Sequence, residues 1–334
     1  MNTPTPPDLR STAASVATRV EAAMRQDLST ALAGCDPLLG DILDHALFSG
    51  GKRIRPLLTV LCSRCCGRDD DNLYLLAAAF EYLHVATLVH DDVIDHAPKR
   101  RGKVTVAARF GMAAAILAGD WLHARSMALI GQLTGAQGLD IFCRATAAMV
   151  NGEFEQLRYV ANTSTSEAQY FAVIRQKTSN LIASTCAIGA LYAGANAEHR
   201  AALTAYGDRI GAAFQVIDDL LDYQGQSEAT GKAIGNDFIE GKLTLPVLHS
   251  LARTDATERQ RISELFAGDR TSPEAYGQLC TFIERHQGFA TAAQSARELI
   301  EQALTALDPF AASGVCAEIT LLKELAGYIL SRNK

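Results

Sequence analysis

Apolar residues recur along most of this chain at the three- and four-residue spacing that places them on one face of a helix. The pattern predicts helices near residues 11–33, 37–48, 53–66, 70–95, 104–109, 112–132, 138–159, 167–194, 198–224, 242–252, 256–266, 273–286, 289–307 and 315–332. No segment alternates apolar and polar residues between turn signals, as a strand would. We therefore expect an all-α fold, a single large helical bundle.

Segments of turn-forming residues separate the predicted helices. They are GG at 50–51, APKRRG at 97–102, TGAQG at 134–138, NTSTS at 162–166 and QGQSEATGKAIGND at 224–237. Ser166 and the run Asp69–Asp71 stand where N-cap residues are expected. We predict a flexible lead rich in Pro and Thr over residues 1–10. One domain is expected over 11–334, because no linker-like change in composition interrupts that range.

Composition narrows the classes of function. The chain has 334 residues, 48% of them hydrophobic, which suffices for a large buried core. Its net charge of −6 gives no electrostatic basis for binding nucleic acid. Most of the eight cysteines lie in apolar contexts, as reduced thiols do in cytoplasmic proteins. The lone C-x-x-C at 62–65 is weak evidence for a zinc site.

The sequence predicts no membrane span. Its N-terminal residues lack the basic and apolar regions of a signal peptide. The longest uncharged run, 178–197, is rich in Ser, Thr, Ala and Gly and fits a closely packed buried helix. We expect a cytoplasmic protein.

Two acidic motifs lie in apolar helical segments. Both have the pattern D-D-x-x-D, with Asp91, Asp92 and Asp95 in the first and Asp218, Asp219 and Asp222 in the second. Like charges on one helical turn repel each other, so a single such motif is either a solvated helix end or a cation site. Mg²⁺ commonly takes one or two carboxylates together with phosphate oxygens and water. The repeated pattern therefore predicts Mg²⁺ ions that hold a polyphosphate anion.

Basic residues accompany these motifs. GGKRIRP at 50–56 places Lys52, Arg53 and Arg55 at the start of a helix. Positive charges there oppose the helix dipole and instead favour a bound anion. Arg100 and Arg101 follow the first acidic motif, and Lys232 and Lys242 follow the second.

These segments resemble the signature blocks of the trans-type polyprenyl diphosphate synthases. The blocks are GGKRIRP, LVHDDVIDHAPKRRGK, FQVIDDLLDY and GKAIGNDFIEGKLTLPVL, and they span roughly residues 45–250 in the order of that family. Within the family, the sequence is most similar to bacterial long-chain members of the octaprenyl or solanesyl type in four segments, LVHDDVID, AGDWL, NGEFEQL and EGKLTLPVLHSL. The resemblance implies an isoprenoid synthase bundle with a central cavity, and a homodimer packed through helices 112–132 and 138–159.

The resemblance also implies a role for each matching residue. Lys52, Arg55, His84 and Arg101 would bind the diphosphate of isopentenyl diphosphate, while Arg100, Lys177, Lys232 and Lys242 would hold the allylic diphosphate. Thr178 and Gln215 would line the allylic pocket. Asp91, Asp95 and Asp218 would bind Mg²⁺ directly, about three ions per site, with Asp92, Asp219 and Asp222 in support. Lys177 would share in catalysis with the aspartates.

The chemistry implied is prenyl transfer. An allylic diphosphate ionises to an allyl cation and pyrophosphate, the isopentenyl double bond attacks the cation, and a proton is then lost. The alternatives are a shorter-chain farnesyl or geranylgeranyl synthase, a class I terpene cyclase and an inactive partner subunit. A cyclase would lack the second D-D-x-x-D motif and GGKRIRP, and an inactive subunit would have lost aspartates or the arginine pair.

Product length is predicted from the helix that precedes the first motif. Ala86 and Thr87 lie one turn before Asp91, and Leu83 and Phe80 follow on the same side at steps of three. A growing apolar chain would pass the small residues and meet the larger ones further down. The alternative is that Ala86 only packs against a neighbouring helix.

Overall fold

The structure, a computed structural model, describes residues 8–100, 102–224, 235–313 and 317–331. The helices are α1 (Leu9–Ala31), α2 (Pro37–Leu47), α3 (Ile54–Cys65), α4 (Asp71–Ile94), α5 (Val106–Phe110), α6 (Met112–Arg158), α7 (Glu167–Ile174), α8 (Asn180–Tyr192), α9 (Ala197–Gln224), α10 (Asn236–Ile239), α11 (Leu245–Leu251), α12 (Ala256–Ala267), α13 (Pro273–Arg285), α14 (Gly288–Ala306) and α15 (Ala317–Ser331). A π-helical turn, Arg175–Ser179, precedes α8, and a 3-10 helix covers Asp308–Ser313. The predicted all-α fold class is confirmed.

The chain divides into two compact units. The first consists of Met1–Cys143, Ser184–Thr204 and Pro309–Glu324. Its core is α4, against which α1 and α3 pack. Asp70 caps this helix by accepting a hydrogen bond of 3.0 Å from the Leu73 N–H, as the sequence predicted for the run 69–71. Most of α4 is buried, because its apolar residues surround the helix rather than form one stripe.

The second unit consists of Arg144–Ala183, Ala205–Asp308 and Leu325–Lys334. Within it, α11 packs against α7, α13 and α14. The predicted cap at Ser166 is confirmed, since Ser166 and Gln169 form a complete capping box at the start of α7. A single domain over residues 11–334 stays a prediction.

Three features differ from the sequence prediction. Strands β1 (Lys99–Arg100) and β2 (Lys103–Val104) pair antiparallel in place of a plain loop, because strands of two residues are too short to show an alternating pattern. Helix α1 begins at Leu9, capped by Asp8, so the last residues of the expected lead are structured. The predicted helices 112–132 and 138–159 form one element, α6, with non-helical geometry at Gly135 inside the expected break.

The uncharged run at 178–197 contains α8, which is largely buried, as predicted. In the described part of the chain, a different helix, α4, is long and apolar enough to cross a membrane. In the most apolar window of α4, 72% of the residues are buried inside the protein, which is typical of a core helix.

Candidate active site

The first acidic motif lies at the carboxyl end of α4. Asp91 is half-buried, Asp92 is 5% exposed, and Asp95 is exposed and forms the C-cap. The Nε of Arg100, on β1, donates a 2.7 Å hydrogen bond to Asp92 Oδ1. Burial raises the pKa of Asp92, while the bond and the charge of Arg100 oppose that rise. The hairpin therefore supplies a cation to the middle carboxylate of this motif.

The segment before α3 presents the predicted basic residues. Gly50 and Gly51 adopt positive φ values of 92° and 153°, so the chain turns sharply before Lys52, which is exposed. The Nε of Arg55 is buried and has no hydrogen-bond partner in the described structure. Burial lowers the pKa of Arg55, and the nearby charge of Glu81 opposes that shift. An unpaired buried guanidinium N–H is a group that an anion would satisfy.

Arg53 differs from the expectation for a substrate-binding residue. Its side chain is 6% exposed and forms an ion pair with Glu81 of α4. Its Nη2 donates a 2.6 Å hydrogen bond to the backbone oxygen of Leu47. Both ends of the guanidinium are therefore engaged inside the protein, and we remove Arg53 from the proposed substrate-binding groups.

Of the other predicted basic residues, the structure describes His84 but not Arg101 or Lys232. His84 is half-buried within α4, in the first unit. Arg101 and Lys232 lie outside the described residues.

The second acidic motif lies in α9, near a cavity of about 90 Å³. Asp218 and Asp222 are half-buried, and Asp219 is 5% exposed. The cavity is lined by Gln156, Tyr159, Thr165, Tyr170, Val173, Ile174, Lys177, Gln215, Asp219, Asp237, Lys242, Leu243 and Thr244. Four of the predicted site residues, Lys177, Gln215, Asp219 and Lys242, thus come together around one space within the second unit.

Asp219 is held by two hydrogen bonds. Its Oδ2 accepts from the Tyr170 hydroxyl at 2.6 Å, and its Oδ1 accepts from Gln215 Nε2 at 2.9 Å. Burial, with the charge of Asp237, raises the pKa of Asp219 to about 8. The carboxyl group is therefore fixed in orientation but poorly compensated in charge, and a cation would stabilise its ionised form.

Lys177 lies in the π-helical turn. Its Nζ donates to Gln156 Oε1 at 2.7 Å and lies 2.9 Å from Glu153 Oε2. A Cβ atom on Gly152 would lie 2.9 Å from the Lys177 backbone nitrogen, so glycine allows α6 to approach this turn closely. The next residue, Thr178, donates to Gln215 Oε1 at 2.9 Å and so connects the turn to Asp219 through Gln215.

Lys242 also faces carboxylates. Its Nζ lies 3.3 Å from Asp237 Oδ1 and 2.5 Å from Glu240 Oε2. Burial alone would lower the pKa of Lys242, but these two carboxylates raise it above its ordinary value. Lys242 therefore stays protonated and provides a permanent positive charge at the cavity.

The donor set fits Mg²⁺ chemistry. In the described part of the chain no group of three or more His, Cys, Asp or Glu side chains has the geometry to hold a metal ion. Mg²⁺ needs no such group, since it is usually held by one or two carboxylates with phosphate and water completing its shell. Asp91, Asp95 and Asp218 offer hard oxygen ligands of that kind, and they are at least partly accessible.

The predicted chain-length residues lie in the core of the first unit. Phe80, Leu83 and Ala86 are buried, and Thr87 is half-buried and donates to the His84 backbone oxygen at 2.8 Å. The ring of Phe80 packs edge-on against Phe142, with ring centroids 5.9 Å apart. Their role in setting product length stays a prediction.

Sequence reasoning missed three residues of the second unit's cavity. Tyr170, Asp237 and Gln156 contact predicted site residues directly, at Asp219, Lys242 and Lys177 respectively. Asp237 follows the second motif within GNDFIEGK, a charged segment that offered a signal. Tyr170 lies in an apolar run and gave none.

An all-α fold that carries two D-D-x-x-D motifs, each accompanied by cationic side chains, defines a prenyltransferase of the isoprenoid synthase class. The chain belongs to the polyprenyl synthetase family, whose model matches residues 36–283.

Known proteins of this family are similar over most of their length. The octaprenyl diphosphate synthase of Haemophilus influenzae is 38% identical over 274 residues, covering 81% of this chain and 82% of that protein. The crystal structure of a decaprenyl diphosphate synthase from Rhodobacter capsulatus matches with a TM-score of 0.87 and 32% identity, covering 98% of each chain. A polyprenyl synthase from Caulobacter crescentus, complexed with calcium and isoprenyl diphosphate, matches with a TM-score of 0.84 and 33% identity, covering 97% of this chain and 96% of that one.

Proposed function

We propose that this chain condenses isopentenyl diphosphate with an allylic diphosphate in the trans geometry and releases pyrophosphate. The proposed product is a long-chain polyprenyl diphosphate such as octaprenyl diphosphate, suited to a quinone side chain. The similarity to the octaprenyl diphosphate synthase of Haemophilus influenzae supports this length.

One observation carries the proposal. Lys177 and Lys242 line the same cavity as Asp219, in a region that is otherwise rich in carboxylates. Lys177 is paired with Glu153, and Lys242 with Asp237 and Glu240, so both ammonium groups are held at the cavity that Asp219 lines. They suit a site in which a diphosphate and its metal ions replace those pairings.

The chain's own residues would act on the leaving group. Mg²⁺, when bound by Asp91, Asp95 and Asp218, would neutralise charge that develops on the pyrophosphate. Lys177 and Lys242 would orient the same group. Val173, Ile174 and Leu243 line the cavity with apolar surface, which would keep water from the allylic cation. The isopentenyl double bond would itself attack the allylic cation, so no side-chain nucleophile is required. The proton then lost from the condensed product would go to the departing pyrophosphate.

Product analysis tests this function. Purified protein with Mg²⁺, isopentenyl diphosphate and a geranyl, farnesyl or geranylgeranyl starter should yield long-chain products by mass spectrometry. EDTA should stop turnover reversibly. Products limited to farnesyl or geranylgeranyl length would favour the shorter-chain alternative. Pyrophosphate release from the allylic substrate alone would favour a cyclase, and no release at all would favour an inactive subunit.

We also propose a homodimer, which the surface of α6 supports. Val150, Phe154 and Leu157 follow one another at helical spacing and are 53%, 66% and 67% exposed. Met112, Ile116 and Leu117 are exposed apolar residues near the start of the same helix. Such side chains are commonly covered by a partner. A monomer in light scattering at micromolar concentration would contradict the dimer. The number of Mg²⁺ ions and the cytoplasmic location stay predictions.

A further inference from the structure

Arg53 has an uncommon backbone conformation. It is the N-cap of α3, with φ 49° and ψ 40°, in the left-handed region that residues other than glycine rarely adopt. Its side chain makes no capping bond to α3. The conformation therefore gives the helix no local benefit, and something outside the helix must hold it.

The side chain of Arg53 supplies that hold. Its guanidinium pairs with Glu81 in the middle of α4, and both side chains are almost completely buried. The other nitrogen donates to the oxygen of Leu47, the last residue of α2, where backbone oxygens lack partners within the helix. One side chain at the start of α3 thus ties together the end of α2 and the centre of α4.

These two contacts of Arg53 fix segment 50–56, which carries the predicted diphosphate ligands. Lys52 and Arg55 lie on either side of Arg53 in sequence, one exposed and the other half-buried. The preceding glycines, Gly50 and Gly51, would leave that segment free to move if nothing anchored it. The charge of Glu81 also reaches Arg55, whose pKa it raises against the effect of burial.

We propose that Arg53 and Glu81 are positioning residues, which hold the segment 50–56 so that Lys52 and Arg55 are ready for the diphosphate of isopentenyl diphosphate. This proposal rests on the proposed function. Arg53 itself does not touch the substrate, and Glu81 acts only through Arg53 and the charge it places beside Arg55.

Steady-state kinetics with each substrate varied in turn tests the proposal. Arg53→Met should raise KM for isopentenyl diphosphate about tenfold or more, while KM for the allylic substrate and kcat change less than about threefold. Calorimetric titration of isopentenyl diphosphate alone should show a matching loss of affinity. Arg53→Lys keeps the charge but loses the two-pronged geometry, and it should fall between Arg53→Met and the wild type.

Glu81→Gln separates positioning from direct binding. If Arg53 binds the diphosphate itself, removal of the competing carboxylate should leave KM for isopentenyl diphosphate unchanged or lower it. If Glu81 holds Arg53 in place, the same change should raise that KM. An unchanged or lowered KM for isopentenyl diphosphate in Glu81→Gln would therefore overturn the proposal.

Two further variants control for loss of stability. The double variant Arg53→Met/Glu81→Met replaces a buried ion pair with apolar side chains, which commonly restores stability. Its KM for isopentenyl diphosphate should stay high, and a normal value would overturn the proposal. Arg125→Met breaks another ion pair with a buried partner, Asp27, which joins α6 to α1, and it should leave that KM unchanged. A wild type without turnover would overturn the proposed function, whereas the calorimetric titration would still test positioning.

Discussion

The two D-D-x-x-D motifs share a sequence pattern but lie in different surroundings. The first ends α4, where Asp95 is exposed and the middle carboxylate, Asp92, is paired with the guanidinium of Arg100. The second lies within α9, where the middle carboxylate, Asp219, is held by neutral donors, the Tyr170 hydroxyl and the Gln215 amide. The middle carboxylate of the first motif thus bonds directly to a cation, whereas that of the second bonds directly to neutral donors and meets the charge of Lys242 only across the cavity.

This difference assigns distinct tasks to the middle residues. The guanidinium of Arg100 offsets part of the burial effect on Asp92, so we expect Asp92 chiefly to hold Arg100 in place. A buried carboxylate held by neutral groups retains a demand for positive charge, so Asp219 favours cations nearby. The flanking aspartates of both motifs remain at least partly accessible, and three of them, Asp91, Asp95 and Asp218, are the proposed metal ligands.

The largest expected effect tests whether both motifs serve one reaction step. Asp91→Ala and Asp218→Ala should each lower kcat by several orders of magnitude, because each removes a proposed Mg²⁺ ligand. Circular dichroism and thermal melting should show that both variants remain folded. Glu298→Ala, which changes an exposed carboxylate on α14, should retain wild-type activity. Near-normal turnover in either aspartate variant would show that the motifs do not act together.

A smaller effect is expected from the group that orients the second motif. Tyr170→Phe removes only the hydroxyl that donates to Asp219, so the buried carboxyl loses one of its two fixed bonds. We expect kcat to fall about tenfold and the Mg²⁺ concentration for half-maximal activity to rise. Tyr192→Phe removes a 2.6 Å bond of the same kind, to Asp70 in the first unit, and should change neither. Equal effects from the two variants would show that Tyr170 contributes only stability.

The sequence was informative about pattern and uninformative about surroundings. Helical periodicity gave the fold class, and the cap at Ser166 and the break at Gly135 followed from local chemistry that the structure bears out. The spacing of Lys177, Gln215, Asp219 and Lys242 did not place them around one cavity, because convergence depends on how helices pack. The same limit explains Arg53, since no local signal reveals that its partner, Glu81, lies in another helix.

The helix that leads to the first motif is expected to control product length rather than rate. Ala86 is buried about one turn before Asp91. We expect the growing chain to pass this level, where an aromatic side chain would obstruct it. Ala86→Phe should shorten the product to about farnesyl or geranylgeranyl length, with turnover within a few-fold of the wild type. Mass spectrometry of the products from a geranyl starter measures this. Phe80→Ala should allow longer chains, although loss of its contact with Phe142 will lower the melting temperature.

An unchanged product distribution in Ala86→Phe, together with a lower melting temperature, would show that Ala86 only packs the core. Leu76→Met is a suitable control, because it changes a buried α4 residue nearly three turns before Ala86 with little change in volume. It should leave both product length and turnover unaltered.

The smallest expected effect concerns pH and again separates the two motifs. The pKa of Asp219 is raised from 3.8 to about 8, so between these values the folded protein retains a proton that the unfolded chain releases. The stability that this proton contributes is fully present below pH 3.8 and is lost as pH rises toward about 8. The melting temperature of the wild type should therefore fall as pH rises across this range. Asp219→Asn should reduce that fall by on the order of a few degrees. EDTA must be present, so that metal does not hold the carboxylate ionised.

Asp92→Asn provides the matched comparison. Burial raises the pKa of Asp92 in the same direction, so its contribution has the same sign, but the bond and charge of Arg100 oppose the shift. The Asn variant should flatten the pH dependence less than Asp219→Asn does. It should also lose stability at pH values where Asp92 is ionised, because Arg100 then lacks a charged partner. If the two variants flatten the curve equally, the neutral donors at Asp219 compensate its charge as well as the guanidinium does at Asp92. The contrast between the motifs would then lie in their exposure alone.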